Sequence, residues 1–187
     1  MNSSSNTRMM VWAAMFSAFA VVVAMLIRIP VTPLVPFSLL PFVSLLAGAV
    51  LGSRWGAMSM LLYVLMGLVG IPVFENGGGP MYILQPTFGF LMGFVVAPLV
   101  IGVFVRKAKT SLVVYIFSAL LGVVIIYAVG LPYLYIIVNF VMGKPMAFSK
   151  VMGVALYPFI GFDILKAVIA GFLAKTMRER LLLNQSV

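Results

Sequence analysis

Asp163 and Lys166 lie three residues apart inside the apolar segment 151–177. The chain holds three acids, Glu75, Asp163 and Glu179, and only Asp163 sits within an apolar run. An ionised group at the centre of a membrane helix costs roughly 2.5–3.5 kcal/mol on insertion scales. Residues i and i+3 share one face of a helix, so the two charges can support each other and point together at a cavity. A carboxylate accepts hydrogen bonds and an ammonium donates them, so the pair can hold a polar solute among apolar walls. The plainer alternative is an ion pair that neutralises itself and orients its helix. Covalent chemistry has little to work with. With no Cys and no His, the chain lacks a thiolate nucleophile, the commonest general base and the commonest transition-metal ligand. No catalytic residue and no metal site are expected, and the chain reads as something other than an enzyme.

A second constellation spans 70–90, Gly-Ile-Pro-Val-Phe-Glu-Asn-Gly-Gly-Gly-Pro-Met-Tyr-Ile-Leu-Gln-Pro-Thr-Phe-Gly-Phe. Three consecutive glycines permit positive φ and close backbone approach to a ligand, Gly78 at their centre. Pro72, Pro80 and Pro86 stiffen the flanks. Glu75, Asn76, Tyr82, Gln85 and Thr87 supply polar groups, while Phe74 and Phe90 supply aromatic walls. A glycine-rich connecting loop is the alternative. The Gly-Lys-Ser/Thr ending of a phosphate-binding loop is missing, so the glycines do not mark a nucleotide site.

The elements that must position these residues are membrane helices. Of 187 residues, 64% are hydrophobic and 8% charged, far from the roughly 25% charged of soluble domains. Six apolar segments can be drawn, 9–27, 37–51, 56–71, 88–105, 111 to about 141, and 151–177. The second and third are short of the roughly 20 residues a span needs and are joined only by Ser53-Arg54-Trp55. They read as thin spans or a re-entrant pair. The expectation is an all-α, six-helix transmembrane bundle forming a single domain over 1–187. Ala18-Phe19-Ala20 resembles a signal-cleavage site, but it sits inside the apolar run rather than after it, so the first span is read as uncleaved. The net charge of +9 is spread over loops and termini as membrane topology requires, and nucleic acid is not an expected partner. Arg8, Arg54, Arg106, Lys107, Lys109, Lys175, Arg178 and Arg180 fall on one side, against Arg28, Lys144 and Lys150 on the other. The positive-inside rule then makes both termini cytoplasmic and turns loops 28–36, 72–87 and 142–150 outward. Small residues recur at helix-packing spacing in Ala14-x-x-x-Ala18, Ala20-x-x-x-Ala24, Gly48-x-x-x-Gly52-x-x-x-Gly56 and Gly89-x-x-x-Gly93.

Gly67-x-x-Gly70-x-Pro72-Val73-Phe74, the glycine run and Pro86-Thr87-x-Gly89-Phe90 together resemble the BioY family, the biotin-binding S components of energy-coupling factor (ECF) transporters. The stretches 35–38, 51–57, 62–63, 126–130 and 163–167 match in the same order. Two positions depart from the family pattern, Leu40 where Gln is frequent and Tyr133 where Trp is frequent. The resemblance implies a multi-pass protein of a bacterial cytoplasmic membrane, in contact with its lipids. It would bind biotin as ligand, carry no cofactor, and work with an energising transmembrane subunit and two ATPase subunits. It implies substrate contacts from Asp163, Lys166, Asn76, Tyr82, Gln85, Phe74, Phe90, Tyr127 and Gly78. Lys166 either meets the biotin carboxylate or only holds Asp163 ionised. Ala14 and Ala18 resemble the Ala-x-x-x-Ala motif by which S components dock on the energising subunit. An S component for another small vitamin, a stand-alone secondary transporter or channel, and a membrane enzyme remain the rival classes.

Overall fold

A computed structural model describes residues 3–26, 31, 32, 34–107 and 111–183. Arg28 and Lys109, used above for orientation, and Ile27, the end of the expected first span, lie outside the described residues. So does the side chain of Lys107.

Long apolar runs become helices because lipid offers no partner to an open backbone N–H or C=O. Six result: α1 (Ser3–Leu26), α2 (Leu40–Leu68), α3 (Phe88–Lys107), α4 (Leu112–Ile136), α5 (Phe148–Ala155) and α6 (Ile160–Leu183). A short 3₁₀ turn, Pro80–Leu84, precedes α3, and a π turn, Ile137–Val141, prolongs α4. No strand occurs among the described residues. The stretches Asn6–Leu26, Leu40–Leu68, Phe88–Arg106 and Leu112–Val141 are long and apolar enough to cross a bilayer, and the bent pair α5–α6 makes a fifth. The chain is a multi-pass membrane protein.

The two short segments turn out to be two arms of α2, broken at Gly52, whose φ of 82° and ψ of −177° leave the helical region. A methyl group on Gly56 would lie 2.8 Å from the Ala47 carbonyl oxygen and 2.9 Å from Gly48 Cα. On a straight helix those residues would stand more than about 12 Å apart, so α2 doubles back as a hairpin. Its arms, 40–51 and 53–68, are about 18 and 24 Å long, short of the roughly 30 Å hydrocarbon core. α3 seals the hairpin. Gly102 lies directly on the Gly52–Ser53 backbone, and a methyl on Gly48 would stand 2.7 Å from Pro98 Cα. The Gly48-x-x-x-Gly52-x-x-x-Gly56 series thus serves internal packing.

The last apolar segment departs from expectation. It is two helices bent by 54° about the turn 156–159. Pro158 has no N–H to donate into a continuing helix and its ring crowds the preceding turn. The chain restarts at Ile160, with Phe159 and Ile160 N–H groups both donating to the Leu156 carbonyl at 3.1 and 2.9 Å. α6 then runs past 177 to Leu183.

On α1 the two alanine pairs part company. Ala20 and Ala24 are buried against the bundle, whereas Ala14 and Ala18 are exposed. They share the outer face with Met10, Val11, Met15 and Val22.

Substituting Gly102→Ala should push α3 off the α2 hairpin and lower stability by about 1–3 kcal/mol, the usual cost of overpacking. Gly153→Ala on α5 meets no neighbour within 4 Å and should be neutral or mildly stabilising, because Ala restricts the unfolded chain. Thermal unfolding in detergent compares the two; equal melting temperatures would contradict the packing described.

Candidate functional site

The bend at Pro158 places Asp163 in the first turn of α6, where the helix dipole favours a negative charge. Asp163 and Lys166 are 5% and 6% exposed, so each must be compensated within the protein. Lys166 Nζ donates to Asp163 Oδ1 at 2.7 Å, and the Tyr127 hydroxyl of α4 donates to Asp163 Oδ2 at 2.5 Å. A second Lys166 proton goes to the Ser38 carbonyl at 2.7 Å. Its ammonium also stands 4.2 Å from the centre of the Phe37 ring. Three parts of the chain, α6, α4 and the segment before α2, therefore meet at one ion pair.

That cluster borders a cavity lined by both apolar and polar side chains. The walls come from the start of α2 (Leu40, Pro41), its second arm (Tyr63), the 70–90 loop, the start of α3 and the turn at Phe159. Phe74 is wedged between Tyr63, at 5.6 Å between ring centres and edge-on, and Tyr82, at 4.4 Å. Phe90 meets Tyr127 edge-on at 6.0 Å. The Tyr82 hydroxyl pairs with Thr87 Oγ1 at 3.3 Å.

The structure brings Asp163, Lys166, Phe74, Tyr82, Phe90 and Tyr127 around this single cavity. Asn76, Gln85 and Gly78 are not among its walls. Asn76 and Gln85 are exposed, because the loop turns back at that point. Phe74 and Gly77 exchange backbone hydrogen bonds of 2.9 and 3.2 Å, which throws Asn76 outward. Gly77 and Gly79 take positive φ, 104° and 113°. Gly78 is pressed against the Ile71 and Gly67 carbonyl oxygens, so the glycine run lets the loop pack on its own backbone. Tyr133 is likewise off the cavity, and its hydroxyl donates to the Ile83 carbonyl of the 3₁₀ turn.

Several walls escaped the sequence. Val35, Pro36 and Ser38 line the cavity, as does Glu75, read in the sequence only as one of the loop's polar groups. Ser38 contributes its carbonyl, which side-chain type does not reveal. Tyr127, expected as a substrate contact, is also a hydrogen-bond donor to Asp163; its 36-residue separation from Asp163 leaves no local signal.

The fold is that of a membrane S component. The crystal structure of the S-component for biotin from an ECF-type ABC transporter superposes with a TM-score of 0.83 at 24% identity, covering 96% of this chain and 95% of that one. The chain belongs to the BioY family, whose sequence pattern matches residues 1–182. A Lysinibacillus sphaericus protein named as a probable biotin transporter BioY is 41% identical over 178 residues, 95% of this chain and 90% of that protein. The Thermotoga maritima protein named as the biotin transporter BioY is 37% identical, covering 92% and 96%. These relatives are named for transport and not for an enzymatic reaction.

The ion pair should dominate local stability. Lys166→Met strands a buried carboxylate and should cost about 3–5 kcal/mol. Tyr127→Phe removes one bond to a charged group and should cost about 1.5–3 kcal/mol. Thermal unfolding of both variants checks the order, and a larger loss for Tyr127→Phe would contradict the geometry.

Proposed function

We propose that the chain is the biotin-binding S component of an ECF transporter, capturing the vitamin from outside and releasing it inward under the action of an ATP-driven module. The observation that carries this reading is the buried Asp163–Lys166–Tyr127 cluster bordering a largely apolar cavity. Biotin has a ureido ring with two N–H donors and one carbonyl, a sulfur-containing ring and an aliphatic tail ending in a carboxylate. A carboxylate offers about four lone-pair positions. Asp163 uses one on each oxygen for Lys166 and Tyr127, so acceptor capacity remains for ureido N–H groups. Phe74, Tyr82, Phe90 and Leu91 on the cavity wall suit the rings and the tail.

Orientation follows from charge. The cavity opens at the end where α1 and α4 finish and α2, α3 and α6 begin. Arg8, Arg54, Arg106, Lys175, Arg178 and Arg180 belong to the opposite end, so the positive-inside rule turns the cavity outward and both termini inward. No phosphate-binding loop occurs in the sequence. Energy therefore comes from separate subunits, an energising transmembrane protein and two ATPases. The outward Ala14–Ala18 face of α1 supports docking on that membrane partner, since small residues four apart admit a neighbouring helix closely.

Calorimetric titration of the purified chain with biotin, without ATP or other subunits, should give saturable binding at nanomolar strength, on the order of −12 kcal/mol. Asp163→Asn should weaken it ten- to a hundredfold, about 1.5–3 kcal/mol, and more than Asp163→Glu does. Wild-type affinity in a well-folded Asp163→Asn variant would make Asp163 purely structural, and no saturable heat from the wild type would sink the reading. Ala14→Trp combined with Ala18→Trp should spare binding while abolishing ATP-driven uptake and co-purification of the partner. Loss of binding as well would mean that this face packs internally.

A further inference from the structure

Lys166 is the one cation on the cavity wall among the described residues, which makes it the natural partner for an anionic ligand tail. Its own contacts point elsewhere. An ammonium has three N–H donors. One is held by Asp163 Oδ1 and one by the Ser38 carbonyl, each at 2.7 Å. The Phe37 ring faces the charge at 4.2 Å, within the range of a cation–π contact. Its charge is already balanced by a carboxylate, so an anionic tail arriving there would meet Asp163 as well as Lys166. Two of the three contacts lie on one short segment. That segment, 34–39, forms no regular helix or ladder, and it carries Val35, Pro36 and Ser38 on the cavity wall. Other ties hold it as well: Thr32 Oγ1 accepts from the Val35 N–H at 3.0 Å and donates to its C=O at 2.7 Å, Phe37 makes an isolated backbone bridge and meets Phe162 edge-on at 5.5 Å, and Leu34, Val35 and Leu39 pack on the core.

We infer that Lys166 is a positioning residue that latches segment 34–39 to α6 as a wall of the cavity, and that it slows ligand release without reading the ligand's charge. Asp163 faces the solute, and Lys166 holds both Asp163 and the wall in place. Opening the wall requires Lys166 to give up the Ser38 carbonyl and the Phe37 ring together. Its removal therefore acts on the dissociation rate, equally for any ligand that fills the cavity.

This inference rests on the biotin reading for its ligand arm only, and the test has a second arm that needs no ligand. The natural sequence has no cysteine, so Leu34→Cys, half-buried on the segment and off the cavity wall, gives a unique thiol. In that background Lys166→Met should raise the rate of maleimide labelling at least fivefold without ligand, and Phe37→Leu, which leaves both charges in place, should raise it in the same direction. In the ligand arm, Lys166→Met should speed dissociation of biotin and of neutral biotin amide by the same factor, about tenfold, with association unchanged within twofold. Unchanged labelling in both variants overturns the latch. So does an affinity loss at least tenfold greater for biotin than for its amide, which would place the carboxylate on Lys166. Faster labelling with no biotin binding by the wild type would overturn the biotin reading and leave the latch standing.

Discussion

A carboxylate and an ammonium sealed 2.7 Å apart inside an apolar bundle constrain everything around them. Taking both out of water is expensive, and their mutual attraction repays it only with good geometry and further hydrogen bonds. The chain supplies those from separate places: the first turn of α6 for the carboxylate, the Tyr127 hydroxyl from α4, and the Ser38 carbonyl and Phe37 ring from the segment before α2. The bend at Pro158 is part of the same arrangement. Were 151–177 one unbroken helix, Asp163 would sit mid-span, away from any helix N-terminus. The break opens the bundle there and gives the acid a favourable dipole.

The rest of the bundle makes this possible by packing tightly at the other end. Gly48, Gly56 and Gly102 let the α2 hairpin and α3 approach backbone to backbone. Short arms and close contacts leave the opposite end, where α2, α3 and α6 begin, free to surround a cavity. Aromatic rings from the 70–90 loop complete the wall. The cavity and most of the described basic residues thus lie at opposite ends, and the outer face of α1 is left to the membrane or a partner.

The membrane class, the all-helical build and the short paired arms were legible because hydropathy and Gly-x-x-x-Gly spacing act locally; the count of six agrees because the two short segments join as α2 while the last splits into α5 and α6. Asp163 and Lys166 were legible because a charge in an apolar run has few innocent explanations. The break before Ile160 carried a readable signal in Pro158, yet the unbroken hydropathy of the segment outweighed it. That Asn76 and Gln85 lie off the cavity wall was not legible, for a different reason. Loop composition names the polar groups, but the tight Phe74–Gly77 turn decides which way they face, and that depends on positive φ at Gly77 and Gly79. Backbone donors and acceptors such as the Ser38 carbonyl have no side-chain signature at all. The tyrosine that bonds Asp163 lies a helix away in sequence, where pairing is set by the packing of α4 on α6.

The central claim, that a solute sits in this cavity against Asp163, is tested most directly by a structure of the purified protein determined with saturating biotin. The account predicts ligand density within the cavity bounded by Phe74, Tyr82, Phe90 and Tyr127, with a ligand N–H within hydrogen-bond distance of an Asp163 carboxylate oxygen. A cavity that stays empty at saturating biotin, or a ligand bound elsewhere on the bundle, would contradict it.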